Sequence, residues 1–207
     1  MSRTDCEFCT EFTGIGTCSR VITEREGWVL LPTIGCFTPG YCLFMPIRHI
    51  DAAADASLPE LGRAQGALED MRQAIASVFG PTIIAEHGPR GCQRGASCCS
   101  HAHLHLIPVP DPDTVTNTYR LTGGPGRTIS GIADLAQADD APYLYLSPRP
   151  GTHLIWPAHG FARQYVRRVC ASLHGIGPYF DWRDHPFTDN QNLTFNVLQN
   201  TLKPWTA

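Results

Sequence analysis

The hydrophobic pattern changes period along the chain, and the changes mark its elements. Trp28–Pro32 is an unbroken apolar, β-prone run, and residues 41–45 form a second one closed by Pro46. Residues 33–40, ending Thr-Pro-Gly, read as the connection, so the two runs predict an antiparallel pair. Over Leu58–Phe79 the period becomes helical: Leu61, Ala64, Leu68, Met71, Ile75 and Val78 recur at steps of three and four. Ser57 with Glu60 forms a capping-box pattern at its start, and Gly80 stands where a helix stops. Residues 82–85 predict a third strand. Residues 101–109 predict a fourth, alternating and ended by Pro108 and Pro110, and a stretch rich in Pro, Asp and Thr follows. Residues 143–147 and 153–156 around Arg149-Pro150-Gly151 read as a hairpin, and residues 161–173 and 189–202 as two further helices. Strand, strand, helix, strand, strand argues for an α+β fold: an antiparallel sheet with a long helix packed on it, then a C-terminal helical and hairpin extension.

Composition narrows the function classes. The chain has 207 residues, 43% of them hydrophobic and 17% charged, with a formal net charge of −3. No global basic field draws in a nucleic-acid polymer, although a local cationic pocket for a small anion fits this balance. No apolar run approaches the roughly 18 residues of a membrane span. The N-terminus is polar and carries acids, unlike a signal peptide. Nine cysteines are an odd number without an export signal, which argues against a disulfide framework and for a reducing cytoplasm, with some thiols on metal and the rest buried.

The chemistry concentrates in His101-Ala102-His103-Leu104-His105-Leu106-Ile107. In an extended chain alternate side chains share a face, so the three imidazoles point one way while Leu104 and Leu106 point to the core. Three of the nine histidines within five residues make a poor core face, because each ring needs hydrogen-bond partners. They make a good line of groups for an anion, a metal or both; a surface patch or a metal site without turnover is the bland alternative.

The His-x-His-x-His run followed by two apolar residues resembles the signature of the histidine-triad superfamily of nucleotide hydrolases and transferases. Residues 38–49, Thr-Pro-Gly-Tyr-Cys-Leu-Phe-Met-Pro-Ile-Arg-His, are similar to the family's Ser-Pro-Gly-His-x-Leu-x-x-Pro-Lys-x-His segment, and Cys6-x-x-Cys9 to its zinc-binding members. The match covers about half the chain. It implies a histidine-triad-like catalytic unit over residues 1–112, with residues 113–207 completing or flanking the same domain, and commonly a homodimer. It also implies His103 as the nucleophile that attacks the α-phosphorus of a nucleoside 5′-phosphate derivative, and His105 as a donor to a phosphate oxygen. A third histidine leans towards hydrolysis, whereas transferases that use a sugar phosphate often carry Gln there. Transfer or phosphorolysis on the same intermediate, and nucleotide binding without turnover, are the competing readings.

A bare Cys-x-x-Cys is weak, because tetrahedral zinc wants four ligands. In zinc-binding relatives the other two are the histidine after the Pro-Lys-x segment and the first triad histidine, which here are His49 and His101. The resemblance therefore implies a structural zinc on Cys6, Cys9, His49 and His101. The Gly- and Cys-rich loop at 88–100 offers two readings. Cys92, Cys98 and Cys99 with His87 or His101 could build another metal site, or Arg94, Ser97 and Ser100 with backbone amides could cradle a phosphate. Glu86-His87-Gly88 resembles an element of a bacterial subgroup of the family, which makes Glu86 a candidate for catalysis or ribose contact beside a purely structural role. Two positions depart from the pattern. Thr33 stands where relatives carry the Asp that holds the ribose hydroxyls, and Tyr41 replaces a histidine. Near the C-terminus, Trp156 and Trp182 are candidates for base stacking or for sealing the extension, and Arg167 and Arg168 for phosphate contact or a solvated helix face.

Overall fold

The computed structural model describes residues 6–12, 20–89, 101–137 and 141–203. Among these, the strands are β1 (Thr23–Arg25), β2 (Trp28–Pro32), β3 (Cys42–Pro46), β4 (Thr82–Gly88), β5 (Leu104–Pro108), β6 (Arg127–Ile129), β7 (Tyr143–Arg149) and β8 (Thr152–Pro157). The helices are α1 (Glu7–Phe12), α2 (Leu58–Phe79), α3 (Pro112–Gly123), α4 (Tyr165–Leu173) and α5 (Thr188–Thr201). All eight strands join one sheet in the order β1-β2-β3-β5-β4-β7-β8-β6, with every pairing antiparallel. Because β7 pairs with β4, the C-terminal half extends the same sheet.

The sheet is covered on both faces, which is why β2, β3, β4 and β5 are buried at every position. On one face Leu30, Phe44, Ile84, Leu104 and Leu106 pack against the apolar stripe of α2. Leu61, Ala64, Leu68, Met71 and Ile75 of that stripe are buried as the spacing predicts, and Ser57 and Glu60 form the reciprocal capping box. Val78 is not part of it: it is 46% exposed, and Phe79 packs against the core instead. On the other face Leu31, Leu43, Ile83 and Ile107 meet side chains of α3 and α4, among them Val115, Tyr119, Val166 and Val169.

Three sequence expectations change. The strand expected over 101–109 is regular only over Leu104–Pro108. Pro46 has no N–H with which to carry the β3 ladder past Leu104, and its carbonyl accepts from the His101 ring at 2.8 Å. The Ala102 amide donates to Ile50 at 2.7 Å instead of to a strand. The alternation of faces nevertheless holds, since Ala102, Leu104 and Leu106 lie in the α2-side core and Ile107 and Val109 in the other. The helix expected from residue 161 begins at Tyr165, because Gln164 adopts a left-handed backbone, φ 56°. The Pro-, Asp- and Thr-rich stretch holds the helix α3. Asp111 caps it, accepting from the Asp113 amide at 2.9 Å, and Pro112 opens it. Thr116, Thr118 and Thr122 turn their hydroxyls back onto carbonyls one turn earlier, which satisfies these groups within the helix.

Candidate active site and metal centre

The three histidines are 1%, 5% and 4% exposed, so their ring nitrogens must find partners inside the protein. His103 Nδ1 lies 2.7 Å from the His101 carbonyl oxygen. A carbonyl only accepts, so Nδ1 carries the proton and the lone pair of the neutral ring sits on Nε2. His105 Nδ1 lies 2.7 Å from the Tyr41 hydroxyl. Its Nε2 is buried and has no hydrogen-bond partner among the described residues. The rings of His103 and His105 meet edge to face with centroids 4.8 Å apart. Burial, and then the neighbouring His103, hold His105 well below the usual histidine range, so it is a neutral ring.

His87, on β4, packs its ring 5.8 Å from that of His105. Its Nε2 accepts from the Val166 amide in the first turn of α4, and burial pushes its pKa down to about 3. The sequence offered His87 as a metal ligand or as part of the Glu86-His87-Gly88 element; the register between β4 and β5 is what aligns it with the triad.

At the other end of the triad, Cys6, Cys9, His49 and His101 bring four ligand atoms within 4.8 Å of one another. Three separations suit the coordination shell of a small ion: Cys6 Sγ to His101 Nδ1 is 3.4 Å, Cys9 Sγ to His49 Nδ1 is 3.3 Å, and Cys9 Sγ to His101 Nδ1 is 3.6 Å. Metal–sulfur and metal–nitrogen bonds of about 2.3 and 2.0–2.1 Å give tetrahedral edges near these values. The protonation also fits. His101 Nε2 donates to the Pro46 carbonyl, which leaves Nδ1 as the unprotonated atom facing both sulfurs. The set therefore suits a metal ion. Cys6 and Cys9 flank the first turn of α1, whose Phe8 and Phe12 pack edge-on against the His101 ring at 5.9 and 5.7 Å. A metal ion held by this set would tie α1 to the histidine segment.

His103 and His105 open onto a pocket of about 580 Å³, including the solvent at its mouth. Glu7 and Phe8 of α1 form one wall, Thr33, Ile34 and Leu43 a second, and Arg20, Arg167 and Trp182 complete it. Thr33 is therefore brought to the triad, with its hydroxyl donated to the Ile34 carbonyl at 3.0 Å. Arg20 is held by Glu11 and the Pro32 carbonyl, so it shapes the wall. Arg167 is 2% exposed, in contrast to the expected solvated face; Arg168 beside it is exposed. Arg167 donates to the carbonyls of Gly35 (2.6 Å) and Phe180 (2.8 Å) and lies over the rings of Phe37 and Tyr41. Gly35 permits this approach: its φ is 71°, and a Cβ there would lie 2.6 Å from the guanidinium.

Other candidates lie elsewhere. Trp156 is 1% exposed and donates to the Gly124 carbonyl, so it seals the core. Glu86 does not line the pocket. It shares the α2-side face with Ile84 and accepts from the Ala53 amide at 2.7 Å and the Tyr143 hydroxyl at 2.6 Å. Burial pushes its carboxyl up to about 7. Arg94, Ser97, Ser100, Cys92, Cys98 and Cys99 lie outside the described residues. Of the cysteines within them, Cys36, Cys42 and Cys170 are buried free thiols.

No family model matches the chain, and no curated protein matches it in sequence. Solved structures are similar to it over about half its length. A hypothetical histidine triad nucleotide-binding protein from Sulfolobus tokodaii is 18% identical, with a TM-score of 0.43, over 50% of this chain and 68% of that one. A HIT family protein from Bacillus anthracis is 24% identical, with a TM-score of 0.43, over 50% and 72%. A Hit-like protein involved in cell-cycle regulation from Bartonella henselae is 16% identical, with a TM-score of 0.43, over 52% and 81%.

Two predictions follow from this geometry. Cys9→Ser lowers bound divalent metal, lowers Tm and strips hydrogen-exchange protection from α1; metal content and melting equal to wild type would remove the centre from the account. Glu86 gives a pH signature. Its carboxyl rises from the ordinary 4.5 to about 7 on folding, so stability is full below pH 4.5 and falls as pH rises to about 7. The loss is about 3 kcal/mol at the conversion of roughly 1.36 kcal/mol per pKa unit. Glu86→Gln abolishes that fall in urea titrations at pH 4.5 and 7.5, and an unchanged fall would locate its cause in another group.

Proposed function

We propose that this protein is a histidine-triad hydrolase that cleaves a nucleoside 5′-phosphate derivative at its α-phosphorus, through a covalent intermediate on His103. One observation carries the reading: the His101 carbonyl holds the His103 Nδ1 proton, so the ring turns its Nε2 lone pair into service as a nucleophile at neutral pH. Nε2 attacks phosphorus and the bond to the leaving group breaks, the leaving group departing with the electron pair. Water then attacks the phosphorus of the nucleotidyl-imidazole, breaks the P–N bond and loses a proton, which returns His103 to its neutral form. One difficult displacement is split into two easier ones.

The surrounding groups support this chemistry. His105 Nε2 is the buried, unpartnered nitrogen beside His103 and suits donation to a non-bridging phosphate oxygen. Arg167 contributes a buried positive charge, and Phe8, Leu43 and Trp182 supply apolar wall for a nucleoside. A zinc ion on Cys6, Cys9, His49 and His101 would be structural, since four protein ligands leave no open position for substrate. Zinc in that set holds α1, and with it Glu7 and Phe8, against the pocket.

The test is turnover of a panel of nucleoside phosphoramidates and dinucleoside polyphosphates, with and without inorganic phosphate. Wild type yields nucleoside monophosphate in both conditions. His103→Asn, whose amide can still donate to the His101 carbonyl, falls by at least about 10³-fold. His105→Ala falls by about 10²–10³-fold, the loss usual for a donor to a developing oxyanion. Wild-type rates in His103→Asn would overturn the mechanism, and a phosphate-dependent nucleoside diphosphate would convert hydrolysis into phosphorolysis.

A further inference from the structure

We infer that Tyr41, with Arg167 stacked over it, is a positioning residue that holds His105 in the tautomer whose Nε2–H faces the pocket. The inference deepens the proposed function and rests on it only for its kinetic consequence; the tautomer is a property of the protein alone.

The geometry leaves two arrangements for the 2.7 Å contact between the Tyr41 hydroxyl and His105 Nδ1. Either the phenol donates and the ring proton sits on Nε2, or Nδ1 donates to the phenol oxygen and Nε2 is a bare lone pair. A phenol is a better donor than acceptor, and a neutral imidazole nitrogen is a strong acceptor, so the first arrangement is the intrinsic preference. Arg167 adds to it. Its guanidinium carbon lies 5.2 Å from the centre of the Tyr41 ring, is itself fixed by the carbonyls of Gly35 and Phe180, and is 2% exposed. A desolvated cation over a phenol ring draws density from the oxygen and strengthens its O–H as a donor. Burial above all, then the neighbouring His103 and His87 rings and lastly the same cation, disfavour protonation of His105, so the imidazole remains neutral and must choose a tautomer.

The consequence appears at Nε2. This atom is buried and has no partner among the described residues, while the ring lines the pocket. With Tyr41 donating, Nε2 presents an N–H, and an N–H left without an acceptor in a buried site calls for an anionic or polar ligand. In the opposite arrangement the pocket would present a lone pair, which repels a phosphate oxygen. Residues from two separate parts of the chain, Tyr41 before β3 and Arg167 on α4, therefore set the hydrogen-bonding character of the site at His105.

The experiment is long-range ¹H–¹⁵N correlation on protein labelled with ¹⁵N histidine, the His105 resonances being identified by their absence in His105→Gln. Wild-type His105 shows a pyrrole-type Nε2 and a pyridine-type Nδ1. Tyr41→Phe, which keeps the ring beneath Arg167 and removes only the hydroxyl, shows averaging of the two nitrogens or the reverse tautomer. Its kcat on the responsive nucleotide falls about tenfold with KM little changed, part of the 10²–10³-fold ascribed to a full oxyanion donor. A wild-type spectrum with the proton on Nδ1 overturns the inference without any variant, as does an unchanged tautomer in folded Tyr41→Phe. Inactivity of the wild type on every nucleotide would count against the proposed function and leave the spectrum to decide the tautomer.

Discussion

Three imidazole rings are buried side by side at the start of β5, and the hydrogen bonds that this demands organise the surrounding structure. Each ring is held differently. His101 gives one nitrogen to the Pro46 carbonyl and turns the other to two thiols. His103 gives its proton to the carbonyl of His101, and His105 takes the Tyr41 hydroxyl. A regular strand could not supply the first two of these, since its carbonyls would be committed to the ladder. The departure from strand geometry before Leu104 is thus the condition for the hydrogen bond that places the His103 proton on Nδ1.

That condition also explains how distant segments reach one pocket. The cluster of Cys6, Cys9, His49 and His101 draws α1 against His101 and so brings Glu7 and Phe8 to the wall. From the other side, β7 continues the sheet beyond β4, and the chain after β8 returns over the same face as α4 with Arg167 and then Trp182. The N-terminal and C-terminal halves therefore build a single site, and the buried arginine joins them through the Gly35 carbonyl. The helix start at Tyr165 serves the same end, because the Val166 amide gives the buried, neutral His87 ring its donor beside His105.

Most of the sheet and α2 were legible because burial on a regular lattice leaves a period in the sequence: unbroken apolar runs for β2 and β3, alternation for β5, and a stripe with a capping box for α2. The four residues of the candidate metal cluster and the position of Thr33 came from the family resemblance, not from periodicity. What escaped reading had no such periodic trace. In α3 the threonines satisfy their own hydroxyls along the helix, so its polar composition concealed it, although Asp111-Pro112 was a start signal. Arg167 looked like a surface residue because nothing local announces that two carbonyls and two aromatic rings from residues 35–41 and Phe180 await it. His87 needed the β4–β5 register, and Glu86 needed knowledge of which face its strand turned to the backbone of Ala53.

The central claim concerns one nitrogen atom, and it can be tested by trapping. Protein mixed with an excess of the nucleotide that it turns over, quenched within the first turnover at alkaline pH and digested for peptide mass spectrometry, should carry an acid-labile nucleotidyl group on His103, joined at Nε2. A group attached at another residue or at Nδ1 of His103, or a rapidly turning-over enzyme with no adduct at any quench time, would contradict it.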